Sequence, residues 1–339
     1  MLNKDLLRKM LCAGGLSGDE ADVREIILNE IAEHCTDVKV DALGNILAFK
    51  KGNSTPKNKL VLSAHMDEVG LIVTSVTDGG FLKFDTVGGI EPRVLAGKRV
   101  KVGGKKLNGV ISSVPVHLTS AAERDKYSAI KQMYIDIGAL NKEDAQKYVR
   151  PGDSVVFESG CEISDSTITS KAIDDRVGCC ILIELLKHNY PCDVHFVFAV
   201  QEEVGMRGAK TAAFALNPDS AIVIESTTAQ DLPDVASGEQ VCTLGGGAAI
   251  SFMDKSAIYD KQMYSTAQNI AERLGIPLQA KQAVAGGNDS GAYNTTAFGA
   301  RVLAISAPTR YLHSQLAMCK IADVQSVFAL AKEMIMQNI

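Results

Sequence analysis

Apolar and polar positions along this chain follow two periods, separated by a stretch where neither lasts. The opening segment, "MLNKDLLRKMLCAGG", puts Leu2, Leu6, Leu7 and Met10 on one side of a helix. "SGDE" at Ser17 to Glu20 matches a capping box, with Ser17 as cap and Glu20 reaching back, and starts a helix over about Asp19 to Cys35. "TDVKVDALGNILAFKKG" alternates on both sides of Leu43-Gly44-Asn45, which predicts a hairpin. "KLVLSAH" is a short unbroken apolar run, consistent with a central strand.

From about Leu71 to Gly160 the texture changes. Glycines crowd together (Gly79-Gly80, Gly88-Gly89, Gly103-Gly104, Gly109), apolar runs shorten, and helical periodicity survives only around Asn141 to Val149. Such a segment predicts a small β-barrel or sandwich. After "ISDSTITSKAIDDR" helices and strands alternate again. A helix is expected over Arg176 to His188, then the strand "DVHFVFAV", a helix over Ala209 to Ala215 and the strand "SAIVIE". A helix near Lys261 to Leu274, the strand "ARVLAIS" and a last helix from about Ala322 complete the series. Alternation of this kind implies a parallel sheet covered by helices. The expected fold class is therefore α/β: a largely parallel central sheet flanked by helices, with an inserted small β-barrel domain. Residues 1–67 and 166–339 would form the α/β domain and 68–165 the β-rich insertion.

Composition narrows the function classes. The 339 residues carry a net charge of -5 and no sustained Lys/Arg block, which argues against a nucleic-acid partner. No window approaches 18 uncharged apolar residues, so no membrane span is expected. The first helix is interrupted by charges and does not read as a secretory signal. Eight cysteines occur without a CxxC pair, as buried free thiols would in a reducing cytoplasm. Any metal would then be held by His, Asp and Glu rather than by thiolates.

Four strand ends carry chemistry: "AHMDEVG", "FAVQEEVG", "VIESTTA" and "LAISAPTRYLHS". In open α/β sheets ligands bind beyond the carboxyl ends of the strands. His65, Asp67, Glu202, Glu203, Glu225 and His313 would gather there, with Asp174 and Asp175 on the same rim. Several ionised carboxylates in one place repel each other unless a cation or a large upward pKa shift intervenes. His65 and Asp67, two apart in extended chain, point the same way, so one can bind metal while the other fixes the imidazole tautomer. Glu202 and Glu203 point apart, so one can be a ligand and the other a general base toward an activated water. Each piece alone also has a structural explanation: a capped turn, a solvated acidic face, a turn histidine.

"AHMDEVG", "KAIDDRVGC", "QEEVGMRGA", "GGNDSGA" and "PTRYLHS", in this order, closely resemble the M42 family of metallo-aminopeptidases, over essentially the whole chain. The resemblance implies a peptidase acting on peptide substrates, with two divalent ions (Zn, Co or Mn) per subunit; the cysteine pattern places it in the cytoplasm. The resemblance also implies an inserted domain that mediates dimerisation, within a homo-oligomer built from dimers, commonly of twelve subunits. By position, His65, Asp174, Glu203, Glu225 and His313 match the metal ligands, with Asp174 bridging. Glu202 matches the general base and Asp67 the carboxylate that orients His65. Glu225 stands where aminopeptidases of this wider group often have Asp; with Asp289 it is a candidate to hold the substrate's free amine.

Two other activities compete. A carboxypeptidase or amide deacylase would need a cation facing the cleft, for which Arg93 and Arg310 are available. A glycosidase would need two carboxylates but no metal ligands, and sugar clefts usually stack rings on aromatics, whereas this chain has no Trp and 5% aromatic residues. Gly245 to Gly247 reads as a flexible loop lining the cleft rather than a dinucleotide fingerprint. Lys171 could screen the Asp pair beside it. His34, His117, His188 and His195 lack motif partners and read as surface or core residues.

Overall fold

A computed structural model describes residues 3–112 and 129–337. Its strands, in chain order, begin with β1 (Asp37–Val40), β2 (Ile46–Lys50) and β3 (Leu60–His65). Next come β4 (Gly70–Val76), β5 (Leu82–Val87), β6 (Arg99–Val102), β7 (Leu107–Ser112), β8 (Tyr134–Asp136) and β9 (Ser154–Phe157). The last eight are β10 (Glu162–Ile163), β11 (Thr167–Ser170), β12 (Val194–Ala199), β13 (Ser220–Thr228), β14 (Ala248–Ile250), β15 (Leu278–Ala280), β16 (Arg301–Arg310) and β17 (Ala317–Lys320).

The large sheet runs β1-β2-β12-β3-β13-β16-β17-β11-β10, with β14 and β15 branching from β16. Its middle, β12, β3, β13 and β16, is parallel, and the flanks are antiparallel. All six residues of β3 are buried, as an unbroken apolar run in a doubly covered strand requires. The helices Lys4–Cys12, Ala21–Ile31, Ile173–Leu186 and Ile321–Met336 pack together, and Arg207–Leu216 packs on Ser290–Thr295. The expected α/β architecture with a mainly parallel core is what the chain adopts.

The glycine-dense stretch forms a closed barrel, β4-β5-β8-β7-β6-β9. Its interior is a separate cluster that includes Leu71, Val73, Leu82, Val100, Ile111, Ile135 and Val155, while the main core surrounds β3, β12, β13 and β16. Strand β10 already pairs with β11 of the large sheet, so the chain has left the barrel by Glu162.

Local differences from the sequence expectations have physical causes. The capping box does not form. The second helix is Ala21–Ile31, its cap residue Glu20 makes no side-chain cap bond, and Ser17 instead donates to the Asp67 carboxylate at 2.6 Å. Asn3 caps the first helix through the N–H groups of Asp5 and Leu6. Leu6, Leu7 and Met10 are buried as predicted, while Leu2 and His117 lie outside the described residues.

Candidate active site

The parallel strands end together. Register pairs Ala199 of β12 with His65 of β3, and Val223 of β13 with Ser63, so Gln201–Glu203 and Glu225 arrive at the level of His65. Two more segments close the ring: Asp174 at the start of the Ile173–Leu186 helix, and His313 just past β16. The Asp174–Asp175 peptide is cis, and both residues have non-helical backbone. Ala172, Gln201, Met206, Tyr311 and His313 all have positive φ, between 51° and 61°. Positive φ at a non-glycine residue persists only where packing enforces it, and such residues are enriched at functional sites.

The side chains converge tightly. His65 Nε2 lies 3.3 Å from Asp174 Oδ1 and 3.4 Å from Glu225 Oε1. His313 Nε2 lies 3.5 Å from Asp174 Oδ2 and 3.3 Å from Glu203 Oε2. Two trios of donor atoms thus fall within 4.8 Å of one another, His65–Asp174–Glu225 and Asp174–Glu203–His313, and Asp174 belongs to both. The other nitrogen of each ring is also engaged. His313 Nδ1 is 2.8 Å from the carbonyl of Gly89, supplied by the glycine-dense stretch. His65 Nδ1 is 3.2 Å from the Asp67 carbonyl and 3.4 Å from its carboxylate. Hydrogen bonding of this kind fixes which nitrogen of a ligating histidine faces a metal.

Asp67 does more than face His65. Its Oδ1 accepts the N–H of Glu202 at 3.0 Å, and its Oδ2 accepts the N–H of Glu203 at 3.2 Å and the Ser17 hydroxyl. Burial raises its pKa, but these bonds and the His65 ring outweigh that and hold it below the ordinary carboxylate value. Asp67 therefore sets the orientation of the Glu202-Glu203 turn as well as facing the imidazole.

Three neighbouring glutamates feel the opposite balance. Burial, partly offset by His65, pushes Glu225 up to about 8. Burial raises Glu202 well above normal and Glu203 to a smaller extent. Asp174 is held low despite burial because His313 and His65 both contact it. Burial pulls His313 down, but Asp174 and Glu203 more than reverse this and raise it to about 11. Five carboxylates (Asp67, Asp174, Glu202, Glu203 and Glu225) against two imidazoles form an acid-rich centre, and such a set calls for cations.

A cleft of about 230 Å³ opens over this centre, bounded also by Thr228, Val241, Asp254, Lys281, Asn288 and Leu312. Asp254 is spent internally, accepting from Ser256, Ala257 and Tyr259, whereas the polar contact of Lys281 Nζ is one carbonyl, Ala285, at 3.1 Å.

Several expectations are corrected. Asp289 is not at the rim: it is fully buried, and neither carboxylate oxygen has a hydrogen-bond partner among the described residues. Burial raises its pKa to about 7, with Asp67 adding to the shift and His65 opposing it. Gly245 to Gly247 does not line the cleft, because the N–H groups of Gly245 and Gly247 are pinned by the Asp323 carboxylate at 2.7 and 2.8 Å. Lys171 does not screen the Asp pair directly; its ammonium grips Glu68 at 2.7 and 2.8 Å. Arg310 does not face the cleft, since Asp231 binds it in a two-pronged pair at 2.7 and 2.8 Å. Arg93 pairs with its neighbour Glu91 at 3.0 Å. His195 packs at a tilt beside Phe49 and His188 beside Phe328, away from the site. The sequence reading gave no site role to Glu68, Arg176, Ser17 or Lys281, although Glu68 stands in "AHMDEVG", Arg176 in "KAIDDRVGC" and Ser17 in the capping-box pattern; Lys281 stands in no motif.

Two solved structures with this architecture are peptidases. The TET aminopeptidase of the marine sediment archaeon Thaumarchaeota archaeon SCGC AB-539-E09 superposes with a TM-score of 0.95 at 34% identity, covering 98% of this chain and 96% of its own. The TET1 peptidase of Pyrococcus horikoshii, described as able to assemble into a tetrahedron or a large octahedral shell, gives 0.87 at 35% identity, covering 98% and 99%. A candidate aminopeptidase of Acetivibrio thermocellus is 40% identical over 333 residues, 98% of each chain. A parallel sheet with acids and imidazoles at its strand ends, and a closed barrel inserted in it, here defines a peptide hydrolase. The chain belongs to the M42 glutamyl aminopeptidase family, whose family model matches residues 44–330.

Proposed function

We propose that this protein is a dinuclear metal-dependent aminopeptidase that removes N-terminal residues from peptides. The observation that carries it is Asp174, shared between two donor trios of imidazole and carboxylate. The donors suit Zn, Co or Mn, which accept mixed nitrogen and oxygen ligands. His65 and Glu225 would hold one ion, Glu203 and His313 the other, and Asp174 both. When bound, such a pair supplies Lewis acidity that lowers the pKa of water and stabilises a developing oxyanion.

The chain's own groups do the rest. Glu202 lines the cleft but belongs to neither trio, and the Asp67 carboxylate holds its backbone N–H at 3.0 Å. It takes a proton from the attacking water and returns it to the leaving amine. Its pKa, raised by burial, suits both transfers. Glu225, facing the cleft beside Ser226, meets the substrate's free ammonium. Lys281 lines the same cleft, its ammonium donating to the Ala285 carbonyl and making no ion pair among the described residues, and its charge favours an acidic first side chain. The family's glutamyl description points the same way.

The inserted barrel is read as the dimerisation element of a homo-oligomer, a dodecamer built from dimers; a solved TET1 structure 35% identical to this chain is described as a dodecamer. A cytoplasmic location fits the eight free cysteines.

The test is a panel of aminoacyl p-nitroanilides, N-terminally free and blocked, assayed after chelation and after return of Co, Zn or Mn. Metal-dependent release from free amino termini, fastest for Glu or Asp, is expected. Equal rates on blocked substrates, or full activity in chelator, would sink the proposal. Lys281→Ala is expected to erase the preference for acidic residues while sparing turnover of the leucyl substrate.

A further inference from the structure

Behind the acid-rich centre lies a second buried charged group. Glu68, Lys171 and Arg176 are each at most 4% exposed. Lys171 Nζ contacts both Glu68 oxygens, and Arg176 Nη2 contacts Glu68 Oε1 at 3.3 Å. The cations also tie down backbone: Lys171 Nζ donates to the Ala13 carbonyl at 2.8 Å, and Arg176 Nη1 to the Met10 carbonyl at 2.7 Å. Gly15 donates to Glu68 Oε1 at 3.1 Å, and a Cβ there would lie 2.5 Å from the Arg176 guanidinium.

Placement gives this cluster its meaning. Glu68 follows Asp67 directly and stands three residues from His65. Lys171 and Arg176 bracket Asp174, three residues before it and two after. One small cavity is lined by Glu68 and Lys171 together with Asp174, Glu203 and His313. The same three side chains thus join the strand end carrying His65, the bend carrying Asp174, and the end of the first helix. Buried ion clusters are weak sources of stability, since apolar replacements of similar volume are often neutral or better. Orientation of nearby metal ligands is where such groups have measurable effects.

We propose that Glu68, Lys171 and Arg176 are positioning residues for the metal pair: touching no ion themselves, they lock the Asp174 bend against the His65 strand end and so set metal affinity. This rests on Asp174 bridging two ions, as proposed above. The experiment titrates metal-free protein with Co²⁺ against a competing chelator, with melting temperature followed in parallel. The wild type is expected to bind two Co²⁺ per chain; if it binds none, the functional reading fails before this one is reached. The variant Glu68→Leu with Lys171→Met and Arg176→Met removes all three charges together. It is expected to keep a cooperative metal-free melt while binding Co²⁺ at least about tenfold more weakly. Lys171→Met alone, which leaves the Glu68–Arg176 contact, is expected to shift affinity the same way by less. At saturating Co²⁺ both variants should recover kcat. Affinity within about twofold of wild type in a folded variant overturns the proposal, whatever the melting temperature does. Loss of the folded state in both variants overturns it too, since the cluster would then serve folding alone.

Discussion

Asp67 and Glu68 are neighbours in sequence, and each belongs to a different buried charged region. Around Asp67 gathers a centre with more carboxylates than imidazoles, in which burial raises Glu202, Glu203 and Glu225. Around Glu68 two cations face one acid, nearly all hydrogen-bonded, with Arg176 Nε the exception. Both regions are largely buried, yet only the first opens on the cleft of about 230 Å³, and in the second each charged side chain has an opposite charge in contact with it. Burial of charge is thus not by itself the mark of a reactive site. What marks one is charge left uncompensated, opening on a cleft, with strained backbone around it.

The sharpest way to break this contrast is Glu202→Gln, which removes an acid from the open region without touching either donor trio. Its kcat is expected to fall by about 10²- to 10⁴-fold, the usual worth of a general base. Metal content, measured by elemental analysis, should stay at the wild-type level. Near-normal turnover with metals bound would mean that another group moves the proton.

Asp67→Asn is expected to cost less, about 10- to 100-fold in kcat or metal affinity. The amide keeps the shape but cannot accept from the N–H groups of Glu202 and Glu203, Ser17 and His65 as a carboxylate does. A structure of this variant should show the Glu202-Glu203 turn displaced; an unmoved turn would leave His65 as the only group Asp67 serves.

The charge imbalance also predicts how the metal-free protein responds to pH. His313, raised to about 11, contributes stability that is complete below its unfolded value of about 6.5 and is lost as pH climbs toward 11. Glu225, raised to about 8, favours its protonated form in the fold, so it too loses stability as pH rises from about 4.5 to 8. Asp67 and Asp174 are depressed, and their contributions fade only on acidification below about 4. The metal-free melting temperature should therefore fall between pH 5.5 and 8.5. Added Co²⁺ should flatten or reverse that slope, because the ligands bind metal deprotonated. Calorimetry of the chelated and metal-loaded protein decides it, and parallel slopes would show that the centre does not dominate.

Much of the open region was legible from the sequence, because strand ends in a parallel sheet must share one edge and residues two apart in a strand share one side. Apolar period sufficed for β3, β12, β13 and β16, and glycine density for the barrel. What pattern could not reveal was pairing between distant polar residues. Ser17 has the spacing of a helix cap, yet the Asp67 carboxylate 50 residues away captures it. Arg176 precedes the apolar run Val177–Ile183, and its role depends on backbone carbonyls near Met10 that no local motif encodes. Asp289 stood in a motif that invited a rim position, and the packing of Ser290–Thr295 buried it instead.

The smallest expected effect concerns a pair outside both regions. Arg310 and Asp231 bind each other in two-pronged fashion, and the guanidinium is 29% exposed. A pair so placed contributes at most about 1 kcal/mol. Arg310→Ala should lower the melting temperature only slightly and leave kcat/KM on free-amine substrates within about twofold. A peptidase that recognised a substrate's terminal carboxylate through this arginine would instead lose most of its activity on substrates with a free C-terminus. Dipeptides blocked at one end or the other separate the outcomes. Selective loss on C-terminally free substrates would move Arg310 into the site and reverse the direction in which the enzyme reads its substrate.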